Sequence, residues 1–216
     1  MASREEPAQA PRRQTRRREE TRRRMLDAAA QIVEELGLTA ATVERVCARA
    51  GYTRGAFYSN FESMDDLLIA LFERHAELVA ARLTEGFGAV EADGGPVTAD
   101  QVVERVLRTL PLSRQWFQVS TEMMAQALRR SEAATVLAQH RSRMRGFLAA
   151  CLSSAIQRMG RTPTTSVADL TEAVLAMYEG TLAQAHLDGN DAGHDRQVRF
   201  IAITILAMTE PAHRPS

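Results

Sequence analysis

The chain's 216 residues, 45% apolar and 25% charged, are ordinary globular material and long enough to bury a substantial core. No apolar run approaches the roughly 18 residues that span a bilayer, and the first residues are arginine-rich where a signal peptide is apolar, so a soluble, cytoplasmic protein with no membrane partner is expected. Formal net charge is zero, yet residues 1–24 hold nine Arg against four Glu, a balance of +5 that leaves −5 on residues 25–216.

Residues 1–17, with Pro7 and Pro11 among Ala, Gln and Arg, show no apolar period and read as a disordered basic arm. From about Thr15, Met25, Ala28, Ala29, Ile32, Val33 and Leu36 recur at helical spacing, and Gly37 stands where a helix closes. Arg12, Arg13, Arg16 to Arg18 and Arg22 to Arg24 extend from the N-terminal end of this first helix. Pairs four residues apart, such as Glu19 with Arg23 and Glu20 with Arg24, would tie some of them locally. The surplus of positive charge favours an arm that seeks phosphate. All 27 basic residues are Arg, so every such contact comes from a planar, bidentate-capable guanidinium.

The stretch T-V-E-R-V-C-A-R-A-G-Y-T-R-G-A-F-Y-S-N-F, residues 42–61, reads as two short helices joined by a tight turn. Thr42 is an N-cap for a helix with Val43, Val46, Cys47 and Ala50 on one face. Gly51 supplies a left-handed turn, and Thr53 caps a second helix beginning at Arg54. This is a helix-turn-helix, whose second helix lies in the DNA major groove with its first residues at base edges. Thr53, Arg54 and Gly55 are the positions so placed.

After Phe61, Ser63 opens a long fourth helix with Asp65 and Asp66 in its first turn, where the helix dipole favours acids. Leu67, Leu68, Leu71, Phe72, His75, Leu78, Val79 and Leu83 form its stripe. Gly86, Gly88 and then Asp93-Gly94-Gly95-Pro96 are expected to end it.

The block R-R-M-L-D-A-A-A-Q-I-V-E-E-L-G, the stretch 42–61 and the opening E-S-M-D-D-L-L together resemble the DNA-binding domain of the tetracycline-repressor (TetR) family. The likeness covers about Arg22 to Leu71 in order and spacing, with Gly37, Thr42, Ala50-Gly51, Tyr58 and Phe61 as its marks. It implies an all-α dimer of about nine helices, with a helix-turn-helix domain over residues 18–63, an effector-binding and dimerisation domain over 64–210 and a loose tail over 211–216. One departure stands out: the family's usual lysine at the opening of the fourth helix is Met64 here, so a phosphate contact made by that lysine is absent.

On this resemblance the DNA-contacting set is Arg22, Thr42, Arg45, Thr53, Arg54, Gly55, Tyr58 and Asn60. Thr42 and Tyr58 hold phosphates, and Arg54 meets a guanine. Double-stranded operator DNA, a small, largely apolar effector and a second copy of the chain are the partners implied.

The rest of the chain reads as five further helices. Thr98 and Asp100 open one that Pro111 ends. The next carries Leu112, Trp116, Val119, Met123 and Ala127, and a long one runs from Glu132 to Met159. Residues 161–165 form a loop, and two final helices are separated by residues 188–194. Trp116, Met123, Met124, Met144 and Phe147, with Gln126, His140 and Tyr178, would suit the wall of an apolar pocket, although Met and aromatic stripes at helical spacing also build cores. His75 and His140 read as satisfied core histidines. The last two helices are apolar on more than one face, and such a helix needs two partners. Val174, Met177, Leu182, Ile201, Ile205 and Met208 are therefore placed at a four-helix dimer interface.

Cys47 and Cys151 lie on apolar faces and read as buried thiols. No H-x3-H or C-x2-C spacing offers a metal site, and no cofactor is expected. No cluster of nucleophile, base and orienting carboxylate, and no phosphate-cradling glycine loop, points to an enzyme. The reading is a ligand-responsive DNA-binding repressor. An effector-free repressor, an activator and, in another class, a helical ligand carrier or enzyme are the alternatives.

Overall fold

A computed structural model describes residues 10–92, 95, 97–110, 113–188 and 193–212. The chain divides into two compact units, Met1–Phe72 and Glu73–Ser216. Among the described residues the helices are α1 (Ala10–Leu36), α2 (Val43–Ala50), α3 (Arg54–Tyr58), α4 (Met64–Ala92), α5 (Ala99–Thr109), α6 (Arg114–Ala127), α7 (Ser131–Arg158), α8 (Val167–Asp188) and α9 (Gly193–Ala207). A short 3₁₀ turn, Leu38–Ala40, joins α1 to α2. Strands β1 (Arg161–Pro163) and β2 (Thr209–Pro211) complete the order.

In the first unit the sequence pattern translates directly. Met25, Leu26, Ala28, Ala29, Ile32 and Val33 of α1 are buried, as are Val46 and Cys47 of α2, Phe57 of α3 and Phe61. Gly37 and Gly51 have φ of 86° and 72°, the left-handed region that glycine enters without a Cβ penalty. Two expectations are corrected. The arm expected to be disordered to residue 17 is helical from Ala10. Arg, Gln and Glu are good helix formers, and Pro11 in a first turn removes an N–H that has no intrahelical partner there. The boundary expected after residue 63 falls after Phe72, because the first turns of α4 bury Leu67, Ile69, Ala70, Leu71 and Phe72.

In the second unit one core gathers Val103 and Leu107 from α5, Leu152 and Ile156 from α7, Leu170 and Val174 from α8, and Val198, Ile201 and Ile205 from α9. Another joins Leu83 and Phe87 of α4 to Val102 and Val106 of α5 and Ala155 of α7. The helix expected to end over Gly86, Gly88 and residues 93–96 passes both glycines and runs to Ala92, directly before Asp93. Gly86 is a packing residue instead: a Cβ there would lie 2.7 Å from Thr109 Oγ1. Residues 161–165, expected as loop, contain β1, which pairs antiparallel with β2 through Arg161 and Pro211, Thr162 and Glu210, and Pro163 and Thr209. Pro211, expected to open a loose tail, instead ends β2, and the N–H of Ala212 donates to the carbonyl of Gly160 at 2.8 Å. The breaks expected around residues 93–96, 111–112 and 188–194 fall largely on residues outside those described, as do residues 1–9 and 213–216.

Among the described residues no helix is long and apolar enough to cross a membrane. No group of three or more His, Cys, Asp or Glu among them is placed to hold a metal ion.

Candidate nucleic-acid interface

The turn between α2 and α3 is built by local bonds. The Thr42 hydroxyl accepts from the backbone N–H of Arg45 at 3.3 Å, and the Thr53 hydroxyl accepts from that of Ala56 at 3.2 Å. Between them the N–H of Tyr52 donates to the carbonyl of Cys47 at 3.0 Å. Cys47 donates its thiol to the carbonyl of Thr53 at 3.6 Å, and burial pushes that thiol's pKa up. Phe57, fully buried, anchors α3 with its ring edge-on to Tyr58 at 5.3 Å and tilted against Phe61 at 5.6 Å. The opposite side of α3 is open: Thr53, Arg54, Gly55 and Tyr58 are all exposed. A Cβ on Gly55 would meet only the Thr53 hydroxyl, at 3.8 Å.

Arg54 is exposed but not loose. Its Nη1 lies 2.8 Å from Glu44 Oε1 on α2. Tyr58 and Glu44 beside it favour its charged form. Thr42 and Arg45 are exposed at the start of α2, with Arg45 Nη1 reaching the carbonyl of Ala40 at 3.4 Å.

Two residues assigned to DNA are held otherwise. Arg22 donates from Nη1 to the carbonyl of Asn60 at 3.1 Å and lays its guanidinium over the Phe61 ring at 4.4 Å. Asn60 turns its Nδ2 onto the carbonyl of Ala56 at 2.8 Å, and its Oδ1 is buried without a hydrogen-bond partner. Together they clamp α1 to the end of α3. The signal was available in part, since Asn60 stands four residues after Ala56 on a helix end.

Along α1 the charge pairs are Glu20 with Arg23 and with Arg24, both at 2.8 Å, and Arg23 with Asp27 at 3.2 Å. Those bonds to Arg24 and Arg23 hold the Glu20 carboxyl below its usual range. Arg23 therefore pairs with Glu20 and Asp27, whereas Glu19 was the partner expected from spacing. Arg16, Arg17 and Arg18 are exposed. At the opening of α4, where Met64 replaces the expected lysine, Ser63 caps the helix by accepting from the N–H of Asp66 at 3.2 Å.

In the second unit the residues assigned to an effector divide into two groups. Met123 and Gln126 are buried on the α6 face that also carries Trp116 and Val119. Trp116 stacks on His75 of α4 with centroids 3.5 Å apart and planes 19° off parallel. Beside it Phe117 packs against His186 of α8 at 5.0 Å. The Nε2 atoms of His75 and His186 are buried without hydrogen-bond partners, which corrects the reading of His75 as a satisfied core histidine. Burial, helped by Arg74, lowers the His75 pKa to about 4, and burial lowers those of His140 and His186 as well. The other residues serve different ends. Met144 and Phe147 pack on the Leu83 and Phe87 core. Tyr178 packs on the α5–α7–α8–α9 core, where burial pushes its hydroxyl pKa up. Met124 is 39% exposed. Neither His186 nor Phe117 was singled out in the sequence, where nothing links positions 69 residues apart.

The dimer assignment shifts in the same way. Val174, Ile201 and Ile205 are buried within the chain's own core, with Met177 and Met208 packed against it and Leu182 half-buried. The apolar groups left exposed on α8 and α9 are Leu187 at 80%, Ile203 at 54% and Leu206 at 41%, with Ala176 and Gly180 alongside.

Comparison with known proteins accords with this architecture. Residues 25–71 match the model for bacterial regulatory proteins of the tetR family. Residues 98–209, more than half the chain, match the C-terminal model for BetI-type transcriptional repressors. The HTH-type transcriptional regulator UidR of Escherichia coli strain K12 is 24% identical over 163 residues, covering 76% of this chain and 80% of UidR. A transcriptional regulator from Rhodococcus sp. RHA1 shares the fold with a TM-score of 0.72 at 16% identity, covering 86% of this chain and 95% of that one. A regulator from Saccharomonospora viridis in complex with choline does so at 0.69 and 16% identity, covering 89% and 99%.

Proposed function

The chain belongs to the tetR family of bacterial regulatory proteins, and from that premise we propose that it is a cytoplasmic, ligand-responsive repressor that binds a pseudo-palindromic operator as a homodimer. The observation that carries the reading is the opening of α3: Thr53, Arg54 and Gly55 are exposed while Phe57 beneath them is fully buried. A helix so anchored presents its first residues to base edges in the major groove. Arg54 offers a fork that fits the O6 and N7 acceptors of guanine. Thr42, Arg45 and Tyr58 flank it as phosphate contacts, while Arg22 and Asn60 act by holding α1 against α3.

Two copies joined through the exposed apolar face of α8 and α9 set their recognition helices about one DNA turn apart, roughly 34–36 Å. The effector enters the second unit beside Trp116, Met123 and Gln126 and favours a dimer whose half-site spacing no longer fits. By linkage, operator DNA weakens effector binding by the factor by which effector weakens DNA binding.

The test begins with duplexes enriched from a randomised pool by the full-length chain. Arg54→Ala is expected to lose discrimination at one base pair of each half-site while keeping residual non-specific binding. Enrichment of no duplex by the unaltered chain would exclude DNA binding and return the protein to the ligand-carrier class.

A further inference from the structure

We propose that Glu44 sets the DNA specificity of this regulator by holding Arg54 in a base-facing pose, lowering affinity for DNA in general. The proposal rests on the reading of Arg54 as a base contact. It concerns a residue that this reading does not otherwise use.

An exposed arginine beside a duplex meets phosphate more readily than base, because phosphate contacts are available at every step and carry no sequence information. Arg54 is such a residue, with 62% of its side chain exposed. One ion pair restrains it: Glu44 Oε1, from the second residue of α2, takes Nη1 at 2.8 Å. A guanidinium has five N–H donors in a rigid fork, so donors remain for a base edge while the fork's direction is fixed.

On DNA the position of Glu44 carries a cost. It lies two residues from Thr42, on the surface that phosphates approach, and 60% of its side chain is exposed. A carboxylate there repels the backbone of every sequence alike. The helix dipole favours an acid in this first turn of α2, but an exposed ion pair adds little to stability, so stability accounts for the carboxylate and not for its reach to Arg54. Fixing Arg54 accounts for that reach: a carboxylate that neutralises one arginine and aims it trades uniform attraction for discrimination, the difference of affinities in which specificity consists.

The test uses the full-length chain, a duplex enriched from a randomised pool and a scrambled duplex of equal length. Glu44→Gln and Glu44→Ala are expected to tighten binding to the scrambled duplex and to steepen its log–log salt dependence by about 0.9 for each additional phosphate neutralised. The ratio of specific to non-specific affinity should fall about tenfold, within the range for one bidentate base contact. An unchanged ratio and salt slope in both variants, with unchanged thermal melts, overturns the proposal. The Glu44→Gln change is then repeated with Arg54→Ala. If Glu44 acts through Arg54 it alters discrimination no further, whereas a persisting loss means Glu44 contacts DNA itself and the positioning role fails. Unaltered base preference in Arg54→Ala alone would bring down the reading of Arg54 first, and this proposal with it.

Discussion

His75 shows how far a single residue's role depends on what another helix brings to it. Its place in the apolar stripe of α4 is plain in the sequence, but the ring that covers it, Trp116, comes 41 positions later on α6. Spacing along one helix identifies a buried face and says nothing about which face of another helix meets it. The buried Nε2 without a partner was illegible for the same reason. The stack can be read directly, because Trp116 is the only tryptophan in the chain. Folding lowers the His75 pKa from 6.5 to about 4, so between those values the unfolded chain binds more protons than the folded one. The neutral ring therefore imposes no penalty above pH 6.5; stability is lost as pH falls from 6.5 toward 4, with no further loss from this group below. His140 and His186 are shifted the same way, so the comparison that isolates His75 is between variants. His75→Phe should flatten the acid-side fall in melting temperature between pH 6.5 and 4 and remove any change in Trp116 emission over that window. A wild-type pH profile in His75→Phe would assign the effect to the other two histidines.

At the scale of elements, the starts of helices opened by a capping side chain were the most legible feature, and the start of α1 at Ala10 was not. Thr42, Thr53 and Thr98 each cap as their chemistry dictates, with Thr98 and Gln101 forming a reciprocal capping box, because a cap is a local bond between neighbours. Ser113 caps α6 in the same way, at a start not singled out in the sequence. Thr53→Ala should therefore cost about 1 kcal/mol in urea denaturation, and Thr53→Ser should restore most of it. Gly86 marks the limit of that legibility. A glycine in a helical pattern reads as a stop, but here it is the point where α4 admits Thr109 of α5, whose Oγ1 and Cγ2 would lie 2.7 and 3.1 Å from an added Cβ. Two effects compete in Gly86→Ala: helix propensity gains about 1 kcal/mol, and overpacking costs about 1–3 kcal/mol. The contact lies below van der Waals separation, so overpacking should win and the variant lose stability. In a Thr109→Ala background the clash is gone, and the same substitution should become neutral or stabilising. A loss of equal size in both backgrounds would mean that the glycine is needed for its backbone and not for the space it leaves. The β1–β2 pair was invisible for a related reason: strands of three residues have no period to detect, and their partners lie 46 to 50 positions apart.

For the whole molecule the informative quantity is where charge and apolar surface are left over once the fold has used what it needs. The core takes Val174, Ile201 and Ile205 and leaves Ile203, Leu206 and Leu187 outside. Ile203→Arg should thus convert the proposed dimer to monomers in sedimentation while leaving the helical circular dichroism intact. On α1 the ion pairs occupy Arg23 and Arg24, and the Asn60 clamp occupies Arg22. Arg16, Arg17 and Arg18 remain exposed beyond them. The surplus charge evident in the sequence is therefore concentrated ahead of Glu19, where residues 1–18 carry six Arg and two Glu. The buried stripe of α1 includes Thr21 and runs from Met25 to Val33, so a chain beginning at Glu19 keeps the packing of the first unit. For every phosphate that an arginine of the arm ceases to neutralise, the log–log dependence of operator affinity on salt flattens by about 0.9. The shortened chain should bind operator more weakly at low salt, with a flatter slope and an unchanged order of preference among base substitutions, because bonds to phosphate position the protein without specifying sequence. The two chains should converge in affinity as salt rises and screening removes the arm's contribution. An unchanged slope would place the arm off the DNA and leave α2 and α3 to supply the whole of the grip, with Met64 offering no charge to assist them.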